Sequence, residues 1–166
     1  MSEAALRHEE PSQIVAALNQ CIEACVDGEK GYANASADVR DPVLKSLFFE
    51  CARQRAGFVH ALQDTIVSLG GLPENHGTVR GAVHRNWTSV RLGLEGRDDR
   101  IVLEECIRGE GAALGVYEEA LAALHRVEMP AAAVRTLVVE QYAAIQRTKD
   151  EIRRRLERVR ASLVVG

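Results

Sequence analysis

The chain has 166 residues, 46 % of them apolar and 27 % charged, with a net charge of −3. That length suits one domain able to bury its own core, and the charge offers no electrostatic footing for nucleic acid. Aromatics make up only 4 % while Ala, Leu and Val are plentiful, which favours helix packed on helix over a sandwich of sheets. Residues 1–11 are polar, have no apolar core, and read as a flexible tail rather than a signal peptide. No later stretch is long and apolar enough to span a membrane, so the cytoplasm is the expected compartment.

A first helix is expected over 12–38, with Ile14, Leu18, Cys21, Cys25, Tyr32 and Ala35 recurring at three- and four-residue steps. Gly28 and Gly31 interrupt it. Each weakens a helix by about 1 kcal/mol relative to Ala, a cost that suggests close approach of another element, or else a kink. Asp41 can cap and Pro42 suits a first helical turn, so a second helix follows over 42–69. Its face carries Leu44, Leu47, Phe48, Cys51, Phe58, Leu62 and Ile66, and Gly70, Gly71 and Pro73 end it. So short a connection makes the first two helices an antiparallel hairpin.

The segment 70–97 is richer in Gly and turn formers but holds Val79, Val83, Trp87, Val90 and Leu94. It is expected to be a crossover containing a short helix near 78–94. Asp98 or Asp99 caps a third helix over 98–126 through Leu103, Cys106, Ile107, Leu114, Tyr117, Leu121 and Leu124. Met129 and Pro130 mark a second tight turn. A fourth helix over 130–163 carries Val134, Leu137, Val138, Ile145, Ile152, Leu156 and Val159. Its cluster Arg153, Arg154, Arg155, Arg158 and Arg160 is interleaved with Glu151 and Glu157, and reads as a solvated face.

Two hairpins joined by one long crossover are the connectivity of ferritin-like bundles. The crossover would set the second and third helices parallel. The apolar seams are then interrupted at one level: Arg55 on the second helix, Glu110 on the third, Gln141 and Thr148 on the fourth, with Asp27, Gly28 and Tyr32 on the first. A buried polar layer held by an Arg55–Glu110 pair is the expectation, meeting the first helix near 25–29 and the fourth near 148–151.

A di-iron bundle needs a Glu from each of two helices and Glu-x-x-His from each of the others. None of His8, His60, His76, His84 and His125 has an acid three residues before it, and Arg55 and Lys149 would bring positive charge to the metal's height. Asp27, Glu50, Glu105, Glu110 and Glu140 remain as oxygen ligands for Mg²⁺, Ca²⁺ or Mn²⁺; otherwise Glu50, Glu105 and Glu140 face water or ion-pair partners. Cys21 and Cys25 could present two thiolates, but no second pair completes a zinc set, so the four cysteines read as small buried hydrophobes. His84, Arg85 and Trp87 in the crossover line a pocket or partner surface, or simply anchor the crossover.

The chain resembles a bacterial ferritin-like family of unassigned function. The resemblance rests on Leu18-Asn19, Asp27-Gly28 and Gly31-Tyr32; on Leu47-Phe48, Gln54-Arg55 and Phe58; on Gly70-Gly71-x-Pro73 and Gly81-Ala82-x-His84-Arg85-x-Trp87. It continues in Leu103-Glu104-Glu105-Cys106, Arg108-Gly109-Glu110, Tyr117 and Ala120-Leu121, and in Glu140-Gln141-Tyr142 with Asp150. It implies an all-α, ferritin-like four-helix bundle and an ancestral metal centre, with no activity attached. Ile107 stands where the family usually has an acid, and Lys149 where a histidine is common. The expectation is a non-enzymatic, stress-related bundle with a degenerate metal centre and no cofactor, acting as a homo-oligomer such as a dimer or through a protein partner, with no nucleic acid and no membrane. Two alternatives stand beside it: an iron- or manganese-dependent redox or oxygen-handling protein of ferritin or rubrerythrin kinship, and a bundle that binds a small molecule in a cavity opened by Gly28, Gly31, Gly109 and Gly111.

Overall fold

The computed structural model describes residues 3–74, 98–127 and 131–165, with side chains at 12–74, 98–127 and 132–162. Four helices make up these residues: α1 (Glu3–Asp38), α2 (Pro42–Ser68), α3 (Asp99–His125) and α4 (Ala131–Val165). The helix expected near 78–94, with His84, Arg85 and Trp87, lies outside the described residues. The segment read as a tail is corrected: α1 begins at Glu3, not Ser12. Ala4, Ala5, Leu6, Glu9 and Glu10 are good helix formers, and the helix continues through Pro11.

Local chemistry sets the helix ends. Asp41 is the N-cap of α2, its carboxylate accepting from Val43 N–H at 2.7 Å, with Pro42 in the first turn. At the other end Gly71 N–H reaches Ile66 C=O and Gly70 N–H reaches Val67 C=O, both at 2.9 Å, the paired bonds of a Schellman stop. That stop needs a left-handed residue, and Gly70 supplies it at φ 75°. Gly71 is held to glycine by packing: a Cβ there would stand 2.6 Å from a Val15 methyl.

Hydrogen-bonded pairs fix the directions. Ser36 lies beside Lys45 and Asn19 beside Leu72, so α1 and α2 are antiparallel. Cys25 meets Tyr117 and Arg40 meets Asp99, so α1 and α3 are antiparallel, which makes α2 and α3 parallel. Tyr142 donates to Glu118 and Arg160 to Glu104, which sets α4 antiparallel to α3. Along the perimeter α1 packs broadly on α2 and on α3, and α3 on α4, whereas α2 and α4 approach only locally. The helices α2 and α3 are diagonal partners: nowhere among the described residues do their Cα atoms come within 8 Å.

Two side chains pin the ends of the crossover. Asn19 on α1 donates to Leu72 C=O and accepts from Glu74 N–H, fastening the exit from α2. Asp99 accepts from Arg40 and Asp41 N–H, fastening the start of α3 to the α1–α2 turn; Asp98 is the N-cap. Residues 74 and 98 therefore sit at opposite ends of the bundle.

The core falls into two apolar halves. One holds Ile14, Leu18, Ile22, Leu62, Ile66, Leu114, Leu124, Val138 and Ile145. The other holds Tyr32, Val39, Leu44, Phe48, Leu103, Ile152 and Leu156. Arg55 and Glu110 are buried at the waist and belong to neither.

Candidate functional site

The waist contains a charged layer. Arg55 and Glu110 have side chains 1 % and 2 % exposed, and Arg55 Nη2 donates to Glu110 Oε1 at 2.5 Å. Because α2 and α3 are diagonal, the pair crosses the middle of the bundle, a span that a long arginine covers. Its shaft runs along α1: a Cβ on Gly28 would stand 3.4 Å from Arg55 Cγ and Cδ. The guanidinium carbon lies 5.9 Å from the Tyr32 ring centroid and 5.4 Å from that of Phe58, within cation–π range. Tyr32 donates its hydroxyl to the same Glu110 Oε1. Arg55 Nη1 donates to Gln54 Oε1 at 2.9 Å. Glu110 Oε2 is buried and has no hydrogen-bond partner among the described residues.

A second, uncharged layer lies one heptad away. Cys25, Tyr117 and Gln141 stand seven positions from Tyr32, Glu110 and Thr148 on α1, α3 and α4, about 10 Å along a helix axis. Tyr117 donates to Gln141 Oε1 at 2.6 Å. Having one hydrogen, it therefore accepts from the Cys25 thiol at 3.1 Å. Gln141 Nε2 donates to the Phe58 carbonyl at 3.3 Å. All four helices are tied by this chain.

Of the residues the sequence places in a polar layer, the structure brings Arg55, Glu110 and Tyr32 together directly. Contact with α1 runs from Gly28, inside the expected 25–29, to Tyr32, about one turn beyond. Asp27 is half-buried on α1. Thr148 lies 3.4 Å from Gln54 Oε1 but donates more closely, at 3.0 Å, to Ala144 C=O in its own helix. Gln141 belongs to the second layer. Sequence reasoning missed Gln54, because it neighbours Arg55 in sequence and so points off the seam. It also missed the joint role of Cys25, Tyr117 and Gln141, although their seven-residue offset from the first layer was legible.

Burial dominates the electrostatics. It pulls the Arg55 guanidinium down, but the Glu110 carboxylate and the Tyr32 hydroxyl outweigh it and leave the group above its ordinary value. Burial, then the Glu110 charge, pushes the Tyr32 hydroxyl well up. All four cysteines are free and buried. Burial raises the Cys25 thiol to about 11 and the Cys51 thiol to about 12, and it raises Cys21 and Cys106 as well. Such thiols are protonated at neutral pH and chemically quiet.

The oxygen ligands proposed from sequence do not assemble. Glu50 is 64 % exposed and lies 3.4 Å from Arg53. Glu105 pairs with Arg108 at 2.6 Å, and Glu140 is exposed. Among the described residues no group of three or more His, Cys, Asp or Glu side chains could hold a metal ion. Two of the four glycines expected to open a cavity face side chains of this chain: Gly28 the Arg55 shaft, and Gly111 the Lys149 Nζ, 3.4 Å from where a Cβ would be.

Among solved structures the chain is similar to a ferritin-like, diiron-carboxylate protein from Bacillus anthracis str. Ames, at 19 % identity and TM-score 0.68, covering 94 % of this chain and 99 % of that one. It is also similar to a dodecameric thioferritin, the bacterioferritin-related protein from Bacteroides fragilis, at 14 % identity and TM-score 0.65, covering 92 % and 90 %. These likenesses establish the ferritin-like fold. No curated protein matches the chain. No helix of the described residues is long and apolar enough to cross a membrane. The family described as Domain of unknown function (DUF2383) matches residues 13–123, two thirds of the sequence, and the chain belongs to that family.

Proposed function

We propose that this protein is a non-enzymatic helical bundle whose metal centre has degenerated, acting in the cytoplasm through self-association or a protein partner. The Arg55–Glu110 pair carries this reading. A diiron-carboxylate centre, of the kind named for the B. anthracis neighbour, needs several carboxylates and imidazoles converging on two cations. Here the one fully buried carboxylate among the described residues already accepts from a guanidinium and a phenol. The described residues do not fit a di-metal group, and Arg55 puts fixed positive charge where one would lie.

Self-association is supported by the dodecameric state of the B. fragilis neighbour. Exposed Val43, Phe49 and Val67 on α2 and Val139 on α4 offer apolar surface. The test is elemental analysis of protein purified without chelator, together with multi-angle light scattering. Far less than one iron, manganese or zinc per chain is expected, with an assembly larger than a monomer. Near-stoichiometric metal, lost on Glu110→Ala, would return the metal-dependent redox reading; a metal-free strict monomer that captures no partner would remove the self-association reading.

A further inference from the structure

We infer that two copies of this chain associate through the outer face of α2, antiparallel about a two-fold axis beside position 58. This rests on the self-association reading and names its surface. Leu44, Phe48, Arg55 and Ile66 turn one face of α2 into the core. One flank belongs to α1, where Ser36 reaches the Lys45 carbonyl, and the other to α4, where Gln141 reaches the Phe58 carbonyl. The remaining face looks outward, and a surface helix is expected to be polar there. Phe49 and Val67 break that rule, at 58 % and 62 % exposed.

Single exposed apolar residues are ordinary; here the order around them is informative. Phe49, Arg53, Ala56, His60, Asp64 and Val67 follow at steps of three and four, which sets them along one line of the helix. A two-fold contact is isologous, so each residue must suit the one that the axis sets opposite. With the two copies of α2 antiparallel, Phe49 meets the partner's Val67, Ala56 meets the partner's His60, and Arg53 meets the partner's Asp64. Apolar faces apolar at both ends, and cation faces anion twice. Arg53 and Asp64 lie about three turns apart and so share one flank of the line, as residues exchanged by such an axis must. A parallel pairing would instead set Arg53 on the partner's Arg53, like charge on like. Within its own chain Arg53 is only loosely engaged: its pair with Glu50 is 3.4 Å long, with side chains 68 % and 64 % exposed, and such surface pairs hold weakly.

The experiment is sedimentation velocity of the full chain across a dilution series from millimolar to sub-micromolar. A single helical line is smaller than the about 800 Å² per partner of a standard interface, so the wild type is expected to form a dimer that dissociates on dilution. Phe49→Glu and Arg53→Glu should each weaken it at least about tenfold, the second by setting like charges together twice. The reversed pair, Arg53→Glu/Asp64→Arg, should return to within about threefold of wild type. The two residues are too far apart to touch within one helix, so that rescue reports contact between copies. Val139→Glu, on α4 and off this line, should leave the dimer unchanged. All these positions are exposed, so melting temperatures should stay close to wild type. Association indifferent to Phe49→Glu and Arg53→Glu, or a reversed pair no tighter than Arg53→Glu alone, overturns this inference and leaves self-association standing. A wild type that stays monomeric throughout the series overturns both.

Discussion

The two polar layers solve the same problem with different chemistry. The Cys25–Tyr117–Gln141–Phe58 chain is neutral, and each hydrogen has a direction: thiol to hydroxyl, hydroxyl to amide oxygen, amide N–H to backbone carbonyl. The Arg55–Glu110 layer is charged, crosses the diagonal, loads one oxygen twice and leaves the other with no described partner. A neutral chain costs little to bury once its members are paired. An ion pair must first recover the desolvation of two charges. The neutral layer thus behaves as a fastener between helices, while the charged one leaves a buried carboxylate oxygen without a described partner.

Alkaline pH tests the neutral layer at Cys25 and the core beside the charged layer at Cys51, and should have the largest effect. Thiols with an ordinary value of 9.0 are raised by burial to about 11 at Cys25 and about 12 at Cys51. The unfolded chain releases these protons first, so their stabilisation is complete below pH 9 and is lost as pH rises through the folded values. Each such thiol lowers stability by about 1.4 kcal/mol per pH unit in that window. Urea midpoints at pH 8, 9, 10 and 11 should fall steeply above 9.

Breaking the ion pair comes next. Arg55→Ala or Glu110→Ala leaves the other charge buried and should cost about 3–5 kcal/mol. Replacing both with Met should be near neutral or stabilising. If the double variant loses as much as either single variant, measured by urea unfolding, the charged layer stabilises the bundle outright and the contrast between layers fails. In the neutral layer, Tyr117→Phe removes the link between Cys25 and Gln141 and should cost about 1–3 kcal/mol by the same measurement. The smallest effect is expected at Thr148→Val. Its hydroxyl is already satisfied within α4, so a loss within about 0.5 kcal/mol is expected, and a larger one would give α4 a firmer place in the charged layer.

The polar pair was legible because seams are periodic. Charged residues at positions 55 and 110, where a 3.6-residue repeat demands apolar ones, must either meet or break the core. On α1 the contact runs from Gly28, inside the expected level, to Tyr32 about one turn beyond it, because a long arginine side chain covers more than one turn of its neighbour. The fastening roles of Asn19 and Asp99 escaped notice for another reason. Polar residues that fasten distant backbone look, in one dimension, like any solvated side chain, and only chain reversal brings Leu72 to Asn19 or Arg40 to Asp99. Glu50 and Glu140 were open between ligand and solvated flank, since a carboxylate near a seam looks the same in sequence whether it faces the core or the water; both are exposed.

The sequence by itself determined the four helices to within a few residues at most ends, the two hairpins, the long crossover and which charges lie inside, because these follow from periodicity, caps and stops encoded locally. Only the tertiary structure decided that α2 and α3 are diagonal, that Arg55 spans that diagonal, and that both Arg55 and Tyr32 converge on one oxygen of Glu110. Those facts depend on interaxial distances and side-chain directions, which arise when four helices compete for one core.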